Sequence, residues 1–337
     1  GMAASSHKAV TGFKRHRPPW TMQALRAPAR ATSAPRTRAG PMENRPLMPL
    51  PWIEIARIAA ALAVVVLHVS ASVVELADFG SASWWWGNAF DSAVRWCVPV
   101  FVMISGALLL DARKNEPIAT FYRKRAGRVL WPLVFWSLVY VVWNHRHDLA
   151  ALRPHDFWVA VARGWPHYHL WYLYMLACLY LFVPCLRDVV ARRSRPELWW
   201  FTGLAFALAM LNDAVRFFSG NQAGLFTNWF LSYLPYFVLG HLLHTSSRQP
   251  GAGQALAALL ATIVATALGC FWLGSARGPG QGLYVYDYLS ITTVPMSLCA
   301  MVFLRSLTTP VLPAAWVRTV APLTLGTYVI HPMYLEW

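Results

Sequence analysis

The sequence is 337 residues long, and 57% of them are hydrophobic while only 13% are charged. A soluble domain carries about a quarter charged residues, so this composition excludes an ordinary soluble globule. The mean hydropathy of +0.40 and apolar runs near ~20 residues, the length that crosses a bilayer as a helix, indicate an all-α transmembrane helix bundle. The net charge of +15 does not indicate nucleic-acid binding, because much of it lies in one terminal tail.

Residues 1–50 form that tail, with nine Lys or Arg residues and one acidic residue. The tail is rich in Ala, Pro, Ser and Arg and has no apolar stretch, so it is neither a signal peptide nor a span. We expect it to be disordered and cytoplasmic, resting on anionic membrane lipid. Gly1 before Met2 indicates an added residue, and Met42 is an alternative start. The membrane domain then covers 51–337.

Nine spans are predicted in this domain. Irregular backbone cannot face lipid, so the spans must be helices packed as one bundle, and no soluble domain is expected. Their ranges are 53–76, 93–110, 126–143, 168–186, 197–213, 228–244, 254–273, 284–304 and 317–337.

The distribution of basic residues predicts the topology. With the amino terminus inside, the inner loops hold 13 Lys or Arg residues and the outer loops hold five. The positive-inside rule therefore places the amino terminus in the cytoplasm. The inner set is Arg113, Lys114, Arg123, Lys124, Arg125, Arg128, Arg187, Arg192, Arg193, Arg195, Arg248, Arg305 and Arg318.

The first span carries Arg57 and His68, separated by ten residues. Eleven helical steps return within about 20° of the starting face and rise about 16 Å. Arg57 then lies near the cytoplasmic boundary, and His68 lies three turns deeper on the same face. This pair suits an elongated anionic substrate that enters from the cytoplasm. In the alternative interpretation, Arg57 reaches lipid phosphates and His68 is a packing residue.

The third span opens with FYRKRAGRVLWP, in which Arg125 and Arg128 are three residues apart. On an α-helix they would share one face, where two guanidinium groups can hold a pyrophosphate. Taken alone, the pattern is more typical of a basic patch that fixes topology. In the second span, Ser105-Gly106 lacks a GxSxG setting, which favours helix packing over a hydrolase nucleophile.

Histidines and a proline mark the later segments. The predicted outer loop holds five histidines, but their spacing has no HExxH pattern, so no metal or prosthetic group is expected. In the last span, Pro332 follows His331 and predicts a bend there. The same orientation of both spans puts His331 and His68 at similar depth, and Glu336 is expected to pair with the outer loop. The loop histidines are His145, His147, His155, His167 and His169.

Five stretches, in order, resemble the acyltransferase 3 family of bacterial membrane proteins, and in particular the stand-alone O-acetyltransferases of surface polysaccharides such as enterobacterial common antigen. The stretches are WIEIARIAAALAVVVLHVS, VPVFVMISGALLL, FYRKRAGRVLWPL, HLWYLYMLACLYLFVP and TLGTYVIHP. The resemblance covers residues 52–337 and implies ten spans, against the nine counted, with the last ending at Trp337.

The resemblance implies transfer of an acyl group, usually acetyl from acetyl-CoA, to a hydroxyl of a carbohydrate or lipid-linked glycan at the bacterial inner membrane. It assigns catalysis to His68 with Arg57 as its partner, and donor binding to Arg125 and Arg128. Trp171 and His331 fall in family-like stretches and are expected to contact substrate. The oligomeric state stays open.

Two other classes of function compete with this interpretation. Pro235 and Pro295 lie inside apolar spans, and transporters place their sites at broken helices, so a flippase or solute transporter is the main alternative. A sensor or scaffold without turnover is the other. Acyl transfer or donor hydrolysis separates the enzyme from both.

Overall fold

A computed structural model describes residues 51–111, 116–219, 229–307 and 312–337. These residues form helices and turns and no strand, which confirms the all-α prediction. The tail at 1–50, together with Arg113 and Lys114 of the first predicted inner loop, lies outside the described residues.

The described residues contain fifteen α-helices, with short 3-10 turns and one π-helical turn between them. The helices are α1 (Pro51–Leu76), α2 (Ala82–Val94), α3 (Cys97–Leu109), α4 (Ile118–Arg125), α5 (Trp131–Asn144), α6 (Pro154–Arg163), α7 (Trp171–Leu181), α8 (Val183–Arg192), α9 (Arg195–Ser219), α10 (Trp229–His244), α11 (Ala252–Arg277), α12 (Pro279–Gly282), α13 (Thr293–Ser306), α14 (Ala314–Val320) and α15 (Thr324–Leu335).

Helices occupy all nine predicted spans, but not all of them reach spanning length. Among the described residues, five helical segments are long and apolar enough to cross a membrane, and the bent pair α7–α8 makes a sixth. The other three segments hold α10, α13 and α15, of 16, 14 and 12 residues. The five full-length segments are Trp52–Leu76, Ala82–Leu109, Ile118–Asn144, Arg195–Phe218 and Ala252–Arg277.

Proline explains the break between α7 and α8, which meet at a bend of 57°. Pro184 lies at the start of α8 and has no N–H to donate to the carbonyl four residues earlier. The N–H of Phe182 instead closes the last turn of α7 on Leu179 and Tyr180. By contrast, α10 runs through Pro235 without interruption, and Pro295 lies in the first turn of α13, where no N–H is needed.

Helix α1 packs against α2, α3, α13 and α15. Its most buried face follows Ala56, Ala60, Ala63 and Leu67, a spacing of three or four residues that keeps side chains on one side of a helix. The small alanines allow close approach of the neighbouring helices. Thus α1, which carries Arg57 and His68, is held on several sides by other helices.

Helices α3 and α10 meet at two glycines. A methyl group at Gly106 would overlap the carbonyl of Phe237, and one at Gly240 would overlap the carbonyl of Met103. Close backbone contact through small residues is typical of membrane helix pairs. The interpretation of Ser105-Gly106 as a packing element is therefore confirmed.

Candidate active site

Arg57 and His68 belong to one uninterrupted helix, α1, so the predicted separation of three turns on one face holds. Arg57 is half-buried, and its Nη1 lies 3.5 Å from Glu54 Oε1. That distance gives a weak ion pair, which leaves much of the guanidinium charge available to a ligand. His68 is partly buried.

Two rings surround His68. The ring of His331 from α15 stacks on it with centroids 5.1 Å apart, and the ring of Tyr168 meets it edge-on at 4.9 Å. The expectation that His68 and His331 lie at similar depth is confirmed. In the part of the chain that the structure describes, the ring nitrogens of His68 have no hydrogen-bond partner, so they are free to bind a substrate proton.

Pro332 determines the orientation of His331. Because Pro332 has no N–H, the carbonyl of Tyr328 four residues earlier has no helical donor. The Nδ1 of His331 lies 2.8 Å from that carbonyl oxygen. A carbonyl only accepts, so Nδ1 carries the proton and the Nε2 of the neutral ring holds a lone pair. That Nε2 is buried without a partner among the described residues.

A second pair of histidines precedes α7 and reaches the carboxyl end of the chain. His167 Nε2 lies 3.1 Å from Glu336 Oε1, and His167 Nδ1 lies 3.1 Å from His169 Nδ1. The predicted pairing of Glu336 with the outer loop is thus confirmed. Trp143 Nε1 donates to the other Glu336 oxygen at 2.9 Å. Burial lowers the pKa of His167, and contact with Glu336 acts in the opposite direction.

These contacts set the tautomers of the pair. A carboxylate accepts, so His167 donates from Nε2 and accepts at Nδ1 from His169. The Nε2 of His169 is buried without a hydrogen-bond partner among the described residues. The His169 ring meets the His331 ring at 5.4 Å. The imidazoles therefore form one continuous cluster from His68 to Glu336.

Three arginines act on one tyrosine at the other end of α1. The Tyr180 hydroxyl of α7 experiences the positive charge of Arg57, Arg125 and Arg128, and it donates to Ser105 Oγ at 3.2 Å. The Arg125 guanidinium lies 5.9 Å from the Tyr180 ring. Arg57 of the first predicted span and the Arg125–Arg128 pair of the third therefore act on the same tyrosine.

Arg125 and Arg128 do not form the simple α-helical pair that the spacing predicted. Residues Ala126–Leu130 make a π-helical turn, which changes the angle between positions three apart. Arg125 is half-buried, and Arg128 is exposed. The Nε of Arg125 has no partner among the described residues. The two guanidinium groups are therefore unequal in environment.

Trp171, at the start of α7, lies in an aromatic group. Its ring centroid is 5.5 Å from that of Tyr233 and 5.7 Å from that of Tyr288. Trp171 follows His169 by two residues, so this group borders the imidazole cluster. Its contact with substrate stays a prediction.

Sequence reasoning missed His167, His169 and Tyr168 as site residues, because the histidines of the outer loop were considered only as metal ligands. It also passed over Arg95 and Asp91, an ionisable pair four residues apart at the start of the second predicted span. Charges at such positions are functional candidates by default, and that signal was available. No group of three or more His, Cys, Asp or Glu side chains in the described ranges could hold a metal ion.

A model of an acyltransferase domain family matches residues 50–337, which include all of the chain outside the tail. Together with the helical bundle, this match defines a multi-pass membrane acyltransferase. The chain belongs to the acyltransferase 3 family. Comparisons with curated proteins and with solved structures found no match.

Proposed function

We propose that the protein transfers an acetyl or similar acyl group from acyl-CoA to a hydroxyl of a cell-surface polysaccharide or of its lipid-linked precursor. One observation carries the proposal: a single helix joins the arginine group around Tyr180 to the imidazole cluster around His68. Acyl-CoA has a matching shape, because its phosphates lie at one end and its thioester at the other.

Arg57, Arg125 and Arg128 are the residues that we assign to the donor phosphates. Guanidinium groups bind phosphate oxygens through paired charge-assisted hydrogen bonds. Arg125 Nε is buried and has no hydrogen-bond partner among the described residues, so a phosphate oxygen that reached it would satisfy an unpaired donor.

His68 is the proposed general base. As the acceptor hydroxyl attacks the thioester carbonyl, a C–O bond forms and the hydroxyl proton passes to His68. The C–S bond then breaks, and the proton is returned to the sulfur of CoA. Imidazole suits this step because it exchanges protons near neutral pH. The His331 ring stacks on His68. Two adjacent imidazolium ions would repel each other, so only one of the two rings carries a proton at a time.

The proposed setting is the bacterial inner membrane, with a cytoplasmic amino terminus. Contacts of the described residues group the predicted inner ends and the predicted outer ends separately. At the inner side, Arg187 Nε donates to the Leu109 carbonyl at 2.6 Å. At the outer side, Trp143 and His167 both contact Glu336. This separation is consistent with the positive-inside assignment.

The test uses purified protein in nanodiscs, labelled acetyl-CoA and a panel of bacterial surface glycans with their lipid-linked precursors. Acetyl transfer and CoA release are measured for the wild type, for His68→Ala, and for His147→Ala, which removes an exposed histidine. We expect transfer by the wild type and by His147→Ala, and none by His68→Ala with acetyl-CoA binding retained. Donor binding with equal transfer in all three proteins would overturn the role of His68.

Transport of a polysaccharide precursor or small solute is the second candidate, and the 57° bend between α7 and α8 favours it. Broken spans are where transporters bind their substrates. The same nanodisc experiment separates the two, because a transporter leaves acetyl-CoA and the glycan chemically unchanged. Well-folded wild-type protein with neither donor binding nor turnover would favour transport.

A further inference from the structure

A cavity of about 250 Å³ lies beside the site described above. Its wall combines one face of α1, the end of α2 and the segment before α13. At about 30 Å³ per water molecule, it has room for about eight waters, which is the scale of one sugar ring. The polar residues in its wall are Glu75, Asp91, Arg95, Tyr286, Asp287 and Tyr288.

The cavity begins one turn beyond His68. Ala71 and Glu75 line it, and they follow His68 by three and seven residues, which keeps them on the same face of α1. Three residues rise about 4.5 Å. A molecule in the cavity can therefore present one of its groups to the His68 ring.

An ion pair forms the inner wall. Arg95 Nη2 lies 2.5 Å from Asp91 Oδ2, and the Asp91 side chain is only 1% exposed. The other oxygen, Asp91 Oδ1, and the Nε of Arg95 are buried with no hydrogen-bond partner among the described residues. Buried polar atoms normally have partners, and a buried ion pair is weak evidence of a stabilising role.

Tyr286 holds the arginine in place. The Arg95 guanidinium lies 4.4 Å from the Tyr286 ring centroid, and Nη1 donates to the Tyr286 carbonyl at 3.4 Å. The Tyr286 hydroxyl donates to Asn88 Oδ1 at 2.6 Å. Asn88 in turn donates to the Ala267 carbonyl of α11 at 3.0 Å. Hydrogen bonds through Tyr286 and Asn88 therefore connect this wall of the cavity to α11.

The charges of the wall select the ligand. Among the lining residues, the carboxylates of Glu75, Asp91 and Asp287 outnumber the one guanidinium, that of Arg95, while Arg216 acts on Asp287 from outside the lining. The lining therefore disfavours an anion such as a CoA phosphate. Carboxylates accept hydrogen bonds from sugar hydroxyls, and a guanidinium donates hydrogen bonds to the hydroxyl oxygens. Tyrosine rings offer an apolar surface to the carbon face of a sugar.

We propose that this cavity binds one neutral monosaccharide unit of the acceptor and directs a hydroxyl of that unit to His68. The assignment of that hydroxyl to acyl transfer rests on the proposed function. Sugar binding itself does not, because a transporter would bind the same unit without acylating it.

The experiment measures protection of a cysteine in the cavity wall. Ala71→Cys is introduced into a chain that also carries Cys185→Ser, because Cys185 is the exposed native cysteine among the described residues. Modification by a small charged thiol reagent is timed in nanodiscs without acetyl-CoA. The probes are glucose, galactose, mannose, rhamnose and N-acetylglucosamine. Glycine betaine, which has no hydroxyl, is the control solute.

We expect at least one sugar to slow modification about tenfold at a concentration near ten times its Kd, and betaine to have no effect. Asp91→Asn should abolish the protection. Asp188→Asn, which breaks the 3.0 Å Asp188–Arg192 pair on exposed α8, should leave it intact. If Asp91→Asn does not fold, Glu75→Gln at the exposed rim replaces it, with weaker protection expected.

Three outcomes would overturn the proposal: an Ala71→Cys thiol that the reagent does not reach, no protection by any of the sugars, or protection that Asp91→Asn and Glu75→Gln leave undiminished. The failures of the two proposals are distinguishable. Acetyl transfer without sugar protection of the thiol would reject sugar binding in the cavity and leave the acyltransferase reaction standing. Sugar protection without acetyl transfer would reject the acyltransferase reaction and leave sugar binding standing.

Discussion

The two ends of α1 differ in how their polar groups are satisfied. Around Arg57, the charges of Arg57, Arg125 and Arg128 act on one tyrosine, Tyr180, and Arg125 keeps an unpartnered Nε among the described residues. Around His68, imidazoles stack on each other, a hydrogen bond to the Tyr328 carbonyl fixes the tautomer of His331, and His169 contacts His167. The first arrangement suits binding of a charged ligand, and the second suits transfer of a proton. One helix thus separates charge recognition from chemistry by about 16 Å.

The largest expected effect lies in the imidazole cluster. His331→Ala should lower the kcat of acetyl transfer about a hundredfold, the lower range for loss of acid–base support, with the KM for acetyl-CoA unchanged. Pro332→Ala sharpens the test. It restores an N–H that competes with His331 Nδ1 for the Tyr328 carbonyl, so a smaller loss of kcat is expected. An unchanged kcat in both variants would mean that His331 does not contribute to acetyl transfer.

At the arginine end, the expected effect is on donor affinity. Arg125→Ala should raise the KM for acetyl-CoA about tenfold to a hundredfold, because a charge-assisted hydrogen bond contributes about 1.5–3 kcal/mol. Arg128→Ala should have a smaller effect, since that side chain is exposed. Arg192→Ala, whose side chain is 77% exposed, is the matched control. Equal KM values for all three variants would contradict the assignment of donor binding to the arginine end of α1.

The contact between α3 and α10 adjoins Ser105, which accepts a hydrogen bond from Tyr180. Gly106→Ala should lower the free energy of unfolding by about 1–3 kcal/mol, because the added methyl group overlaps the Phe237 carbonyl. Gly203→Ala is the control, since a methyl group there meets nothing within 4 Å and improves helix propensity. Thermal unfolding in detergent measures both. Equal melting temperatures would contradict the close contact.

The smallest effect concerns pH. The pKa of His167 is lowered by burial from its ordinary value of 6.5, so the unfolded chain binds a proton first as the pH falls. Folding stability should therefore decrease below about pH 6.5. Glu336→Gln removes a contact that raises the pKa of His167. The pKa in the folded state should then be lower, and the loss of folding stability at acid pH should be larger. Melting temperatures measured between about pH 5 and 8, with Asp188→Asn as control, test this. A melting temperature independent of pH would contradict it.

Helical periodicity was enough to predict the relation of Arg57 to His68 and the common depth of His68 and His331, because these depend on rise per residue and on the direction of the spans. The resemblance of five stretches was enough to predict the family, which the family match confirms. Five of the predicted site residues fall into two groups, and Trp171 lies in an aromatic group beside them, but the roles of all six stay predictions.

Other features depend on contacts distant in sequence. The π-helical turn after Arg125 has no signature in AGRVL, so the sequence predicted an ordinary helical pair. His167 and His169 become part of the site only because α15 returns to them, and Asp91 gains its setting from residues near Asp287. Span periodicity carries no information about such pairings.

The central claim is that the two ends of α1 divide donor binding from chemistry. Its most direct test is a comparison of His68→Ala and Arg125→Ala in one nanodisc assay that measures both the Kd for acetyl-CoA and the rate of acetyl transfer at saturating donor. We expect His68→Ala to lose transfer with the Kd unchanged, and Arg125→Ala to weaken binding with the saturated rate retained. The account would be contradicted if His68→Ala transferred acetyl at the wild-type rate, or if both variants changed the same parameter.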